Sequence, residues 1–459
     1  MSSHIIDSEV HQDAWSTEET RHIFDTRTRF QRWLDIEVAL ARAQGRLGVI
    51  PEEAAREIAK NADMDRIDMA QLKADFALTQ HSLMPLLKAV QRLCPGDTGE
   101  YIHFGPTTQD IEDTGGILEI KDAYHVMLRD MREIEDILMD LARKHRETVM
   151  CGRTHSQQGL PITLGLKLAI WISEIRRHIE RFKQMAPRLF VGMLHGGAGS
   201  MSALGPKAME TMELMMTDLG LGVPDVGWGN SRDILAEYVC NVANAAATFG
   251  KIANEIFQLG KTELGEMSEP LPEAYIGSST MPHKRNPEIC EFVVMLSRII
   301  RSHAGVALEA VVCEHERDTR SWRTDWLTLP ECSMMMGAIL KMMKTLLADL
   351  GIHEERIAQN LDLLKGLMLS EAYMFLLGEK IGKQTAHHVV GKAALAAMRE
   401  NRHLKETLMD IPEVRAVISA EELEEISDYR RHIGFAREMV DKVCETSERL
   451  RPTDPDFLK

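Results

Sequence analysis

The sequence predicts an all-α protein built around a bundle of long helices, and three observations predict it. Apolar residues recur at helical spacing, as in Ile36, Ala39, Leu40, Ala43 and Leu47, and again from Leu118 through Ile120, Ala123, Met127, Met131, Ile134, Leu138 and Leu141. Long stretches from Gly116 to Glu147, Pro161 to Met185, Ile234 to Glu266 and Glu288 to Val311 have no internal proline and are rich in Ala, Leu, Ile, Met, Glu and Lys. Runs with strand-like alternation are few and short, which argues against an α/β sheet. Such helices exceed ordinary globular length and suit a bundle that subunits could share.

In chain order, residues 1–114 read as an N-terminal helical domain, ending near Thr114 where a loop meets the first long helix. Residues 115–365 read as the central long-helix domain. A second boundary near Leu364 to Met368 opens a C-terminal domain of shorter helices, 366–459, whose last residues from Pro452 are polar. The methionines, including Met334-Met335-Met336 and Met342-Met343, read as adaptable core filler.

Composition narrows the partners. With 54 basic and 70 acidic residues the formal charge is −16, which disfavours nucleic acid and anionic membranes while leaving room for a locally basic pocket. No apolar run is long enough to span a bilayer, and Met1 to Thr20 is polar without a signal-like apolar core. The seven cysteines are scattered, with no CxxC pair or zinc spacing, as reduced thiols in a cytoplasm would be. No metal cluster or cofactor fingerprint appears. The glycine-rich segment Gly196-Gly197-Ala198-Gly199-Ser200 lacks a following Lys-Ser/Thr pair and is not a phosphate loop.

The segment Gly277-Ser278-Ser279-Thr280-Met281-Pro282-His283-Lys284-Arg285-Asn286-Pro287 carries the chemistry. Its glycine and prolines resist regular structure, so it reads as a loop. Lys284 offers charge, Asn286 a directed donor, and the freed backbone N–H groups further donors for a carboxylate.

This segment contains every fixed position of GSSxMPxKxNP, the signature of the fumarase/aspartase superfamily. His103-Phe104-Gly105-Pro106-Thr107-Thr108-Gln109-Asp110 resembles an earlier block of that family, and Gly152-Arg153-Thr154-His155-Ser156-Gln157 resembles another. The resemblance covers nearly the whole chain. It implies a three-domain fold, a homotetramer whose active sites each draw on three subunits, and a fumarate-releasing β-elimination without a cofactor. A proton leaves a carbon beside a carboxylate, so donors must stabilise an aci-carboxylate. By resemblance Ser278 is the base, with Ser279 as the alternative; His155 is the general acid and Glu291 the carboxylate that orients it. His81 matches a second histidine of adenylosuccinate lyases. Thr107, Thr108, Gln109, Thr154, Lys284 and Asn286 are expected to hold the small dicarboxylate substrate, with Arg27 and Arg29 as a possible charge clamp.

Two branches of the family pull apart. His81, His155 and His315-Glu316-Arg317-Asp318 fit adenylosuccinate lyases, but Trp326 stands where those enzymes place an arginine for the nucleotide phosphate, and their N-terminal Arg-Tyr pair is missing. Trp322 and Trp326-Leu327-Thr328-Leu329-Pro330 resemble 3-carboxy-cis,cis-muconate lactonizing enzymes, which commonly lack both histidines. The expectation is therefore C–N elimination from an N-succinyl, non-nucleotide substrate, with Trp326 at the substrate, and lactonization as the alternative. A non-catalytic structural tetramer would be expected to lose Ser278, Lys284, Asn286, His155 or Glu291, and all are present.

Overall fold

The computed structural model describes residues 4–271, 278–281 and 283–455. The elements that position the site are α1 (Thr26–Arg46), α2 (Met69–Thr79), α3 (Met84–Leu93), α4 (Thr108–Lys144), β1 (Val149–Thr154), β2 (Gln157–Thr163), α5 (Leu164–Leu189), α6 (Asp233–Leu259), α7 (Glu288–Glu309), α8 (Asp325–Ala348), α9 (Ser370–Ile381), α10 (Lys383–Glu400) and α11 (Ala436–Leu450).

Helices α4, α5, α6, α7 and α8 pack around one another in a closed bundle. Residues such as Ile120, Met127, Met131, Ile134 and Leu138 of α4 are fully buried, so the apolar stripe read from the sequence is the seam of the bundle. The fold is all-α, as expected. α8 was hidden from the proline-free criterion because Pro330 lies inside it. That ring cannot donate to the carbonyl of Trp326, yet the helix continues because its apolar face is buried.

α1 crosses α4 at Gly115, where an added Cβ would lie 2.7 Å from the Trp33 ring. Thr114 lies inside α4, and one apolar core runs from Ile23 to Ile357 and takes in Val440 and Cys444 of α11. A separate apolar cluster gathers Leu369, just before α9, and Tyr373 and Leu377 of α9 with Ala386, Val390 and Ala393 of α10 and the segments that follow, to Leu423. Among the described residues no helix is long and apolar enough to cross a membrane.

The hairpin of β1 and β2 is the principal sheet, antiparallel with Thr154 opposite Gln157. His155 (φ 52°) and Ser156 (φ 62°) form its two-residue turn. Left-handed angles at both positions match the twist of the strands, as in a type I′ turn. The hairpin is anchored by Arg153, which donates to both oxygens of buried Glu266 at 2.5 and 3.0 Å. Asn360 donates to the same carboxylate at 2.9 Å and accepts Gln158 at 2.8 Å on its backbone carbonyl.

Candidate active site

The start of α4 is the organising point. The Thr107 N–H donates to Asp110 Oδ2 at 2.9 Å, which closes the first turn. The same buried carboxylate accepts the N–H groups of His195 and Gly196, both at 2.9 Å. Asp110 thereby pins the glycine-rich segment against the Thr107 motif. Burial pushes its carboxyl upward, and the three backbone donors oppose that shift.

A cleft of about 190 Å³ opens here, lined by Thr107, Gln109, Gly196, Gly197, Asn230 and Arg317 among others. Arg317 donates to Thr107 Oγ1 at 3.0 Å and to the Gly197 carbonyl at 2.9 Å. Among the described residues it forms no ion pair with a carboxylate, although Asp110 and Glu316 line the same cleft. Nothing in the sequence around Arg317 separates it from other arginines; only the fold reveals that its partners are neutral.

Arg27 and Arg29 are placed differently from the expected clamp. Arg27 pairs with Asp65, and Arg29 forms a two-pronged pair with Glu119 at 2.7 and 3.1 Å. Their charges are spent on the protein's own carboxylates. Gln109 also departs from expectation. It is 2% exposed, and its amide nitrogen donates to Asp113 Oδ2 at 3.0 Å and to the Gly229 carbonyl at 2.7 Å. Both N–H groups are engaged, so its remaining hand is the amide oxygen. Thr108 opens α4, half-buried.

Beneath this cleft lies a buried ionic network. Arg232 bridges Asp113 (2.7 Å) and Asp325 (2.6 Å), and the Trp322 indole donates to Asp113 at 2.9 Å. It ties α4 to α8 and to the helical turn Thr319–Trp322. Above Trp322, the Arg323 guanidinium is stacked between the rings of Trp322 and Trp326, 4.1 and 3.8 Å from their centroids.

His81, half-buried between α2 and α3, uses Nδ1 to accept the N–H groups of Leu83 (3.2 Å) and Met84 (3.1 Å). Its proton is thus held on Nε2. Burial, then the charges of His103 and Arg323, lowers its pKa and keeps it neutral. His103 is a second residue that sequence reasoning quoted without assigning. Its Nδ1 lies 2.6 Å from Glu37, whose side chain is fully buried. Burial disfavours the charged ring, but Glu37 and then Asp110 outweigh it and raise the pKa.

The other expected residues sit apart. His155 and Thr154 are exposed at the hairpin tip. In the signature loop, Gly277 and Pro282 lie outside the described residues. Ser278 is half-buried, and its Oγ accepts the N–H groups of Thr280 (3.3 Å) and Met281 (3.0 Å). Ser279 and Lys284 are exposed, and Asn286 is half-buried beside Glu269 and Arg285. Glu269 caps α7 by accepting the N–H groups of Ile289 (3.0 Å) and Cys290 (2.6 Å), which fixes the first turn that carries exposed Glu291. No hydrogen bond or ion pair joins His155 to Glu291 among the described residues. No His, Cys, Asp and Glu cluster there is arranged to hold a metal ion.

A family model described as "Lyase" matches residues 14–301, and one described as "Adenylosuccinate lyase C-terminus" matches residues 366–443. The chain belongs to the fumarase/aspartase superfamily of lyases. Among curated proteins, this superfamily member is 40% identical over 448 residues to an N-acetyl-S-(2-succino)cysteine lyase of Dickeya dadantii, covering 98% of each chain. It is 40% identical to an adenylosuccinate lyase of Pyrococcus horikoshii, covering 95% of this chain and 97% of the relative. Among solved structures, the 3-carboxy-cis,cis-muconate lactonizing enzyme of Pseudomonas putida superposes with a TM-score of 0.90 at 34% identity, covering 96% of this chain and 99% of that one. The superfamily member is thus an enzyme, similar to both branches that its tryptophans and histidines pointed to.

Proposed function

We propose that the chain releases fumarate from a succinyl adduct of a small amino-acid-like molecule, with the adduct on nitrogen or on a cysteine sulfur. The observation that carries this reading is the Ser278 oxygen held by two backbone N–H groups. Those donors favour the ionised oxygen, and a serine must be ionised to act as a base.

The steps follow from the chemistry. Ser278 Oγ takes a proton from the methylene carbon beside one carboxylate. The electron pair moves into that carboxylate as an aci-dianion, stabilised by Lys284, Asn286 and loop N–H groups. The pair then returns to form the trans double bond as the bond to nitrogen or sulfur breaks on the opposite face. His155 gives its proton to the leaving atom, oriented by Glu291. Thr107, Thr108, Thr154 and Arg317 hold the succinyl carboxylates, with His81 on the departing side as a neutral Nε2–H donor.

Because His155 and Ser278 sit on separate parts of the chain, the reading takes the enzyme as a homotetramer. Each site then combines a hairpin tip, a signature loop and an α4 start from three subunits. The three domains, cytoplasmic location and independence from nucleic acid and membranes belong to the same reading. Two named substrates among the relatives guide the choice of compound, N-acetyl-S-(2-succino)cysteine and adenylosuccinate. Trp326 on Arg323, in place of a phosphate-binding arginine, favours a non-nucleotide leaving group. Lactone formation is the second reading, favoured by the likeness to the Pseudomonas enzyme. Fumarate release from a panel of nitrogen- and sulfur-linked succinyl adducts, against lactone formation from 3-carboxy-cis,cis-muconate, separates the two.

A further inference from the structure

Resting on that reading, we propose that Arg323, clamped between Trp322 and Trp326, determines specificity by receiving a carboxylate on the leaving amino acid. With its Cζ 4.1 and 3.8 Å from the two ring centroids, the guanidinium is held close to both indoles and turns its N–H groups to other partners. That edge is loosely engaged. Nη1 lies 3.2 Å from Glu112 Oε2 and Nη2 lies 3.3 Å from Ser82 Oγ, both longer than the roughly 2.7–2.9 Å of a strong charge-assisted bond. The side chain is one-third exposed (34%), whereas the Glu112 side chain is fully buried. Burial pushes the Glu112 carboxyl up to about 7, so near neutrality it balances only part of the arginine's charge. A planar cation held beside two rings, whose edge makes only long contacts, is suited to receiving a further carboxylate.

Position identifies which carboxylate. Arg317 stands on Thr107 at the start of α4, and Arg323 stands on Glu112 five residues further along the same helix. Ser82, on the edge of Arg323, adjoins His81 on the departing side. The two cations suit a substrate with a carboxylate at each end, one on the succinyl group and one on the amino acid. An adduct of a simple amine or thiol would leave Arg323 unused.

The test is binding, independent of turnover. N-acetylcysteine and N-acetylcysteamine share the thiol and the acetyl group and differ in the carboxylate. Calorimetry on the full-length wild type should show N-acetylcysteine binding about ten- to a hundredfold tighter, and Arg323→Gln should bind the two alike. Arg323→Lys, which keeps charge but not the stacked fork, should retain part of the preference. Equal affinities in the wild type, or an undiminished preference in Arg323→Gln with fumarate binding intact, would overturn the proposal. Fumarate release is assayed separately, so failure of the reaction and failure of the clamp are distinguishable.

Discussion

The side-chain oxygen of Ser278 accepts the backbone N–H of Met281 at 3.0 Å. Neighbouring Ser279 is exposed, and among the described residues its side chain accepts no such backbone donors. The difference matters because a serine hydroxyl becomes a base only where its charged form is stabilised. Ser278→Ala should therefore lower the rate by about a thousandfold or more, within the range of lost acid–base catalysis and lost carbanion formation together. Ser279→Ala should retain most activity. Steady-state kinetics of the two variants decide which oxygen is the base, and the opposite ranking would reassign it.

Among the described residues no hydrogen bond joins His155 at the hairpin tip to Ser278 in the loop of the same chain. Sites shared between subunits predict complementation. His155→Ala and Ser278→Ala, each inactive alone, should regain activity when unfolded together and refolded into mixed oligomers. Activity that stays absent in verified mixed oligomers would argue for sites contained in single chains.

Glu112 makes stability depend on pH. Its folded pKa, about 7, stands above the ordinary value of 4.5, so the native state keeps a proton that the unfolded chain has released. Stability from this group is full below the unfolded value and is lost as pH rises through about 7. Glu112→Gln removes the titration. Denaturation midpoints should shift in favour of the variant by on the order of 3 kcal/mol between about pH 4.5 and about pH 8. A pH-independent difference would mean that the native Glu112 carboxyl titrates as it does in the unfolded chain.

Arg232 is 1% exposed and holds apart two carboxylates, Asp113 and Asp325. Arg232→Met leaves both facing one another without a cation. The cost should be roughly 3–5 kcal/mol in denaturant unfolding, the usual penalty for breaking a buried pair. A loss below about 1 kcal/mol would show that water or protonation readily replaces the arginine.

Much of the fold was legible because α4, α5, α6 and α7 repeat apolar residues at helical spacing over many turns. α8 was obscured by Pro330, whose local cost is overridden by burial of the helix face. The hairpin was obscured because its turn is His155-Ser156 instead of an Asn-Gly pair, so the motif was visible as a string of residues but not as a strand reversal. The site divides in the same way. Ser278, Lys284 and His155 were legible as members of compact motifs. Arg317 and Arg29 look alike in sequence, and only tertiary pairing shows that Glu119 consumes one charge while a hydroxyl and a carbonyl leave the other available. His103 and Glu37 meet across 66 residues of sequence, a distance that no local pattern bridges.

The central claim is fumarate release initiated at Ser278. The most direct measurement incubates the enzyme with N-acetyl-S-(2-succino)cysteine and with a succinylated amine of matching shape, and quantifies fumarate together with the freed thiol or amine. The account predicts equimolar fumarate and leaving group from at least one compound, abolished by Ser278→Ala. No fumarate from either, with lactone formed from 3-carboxy-cis,cis-muconate by the same preparation, would contradict it.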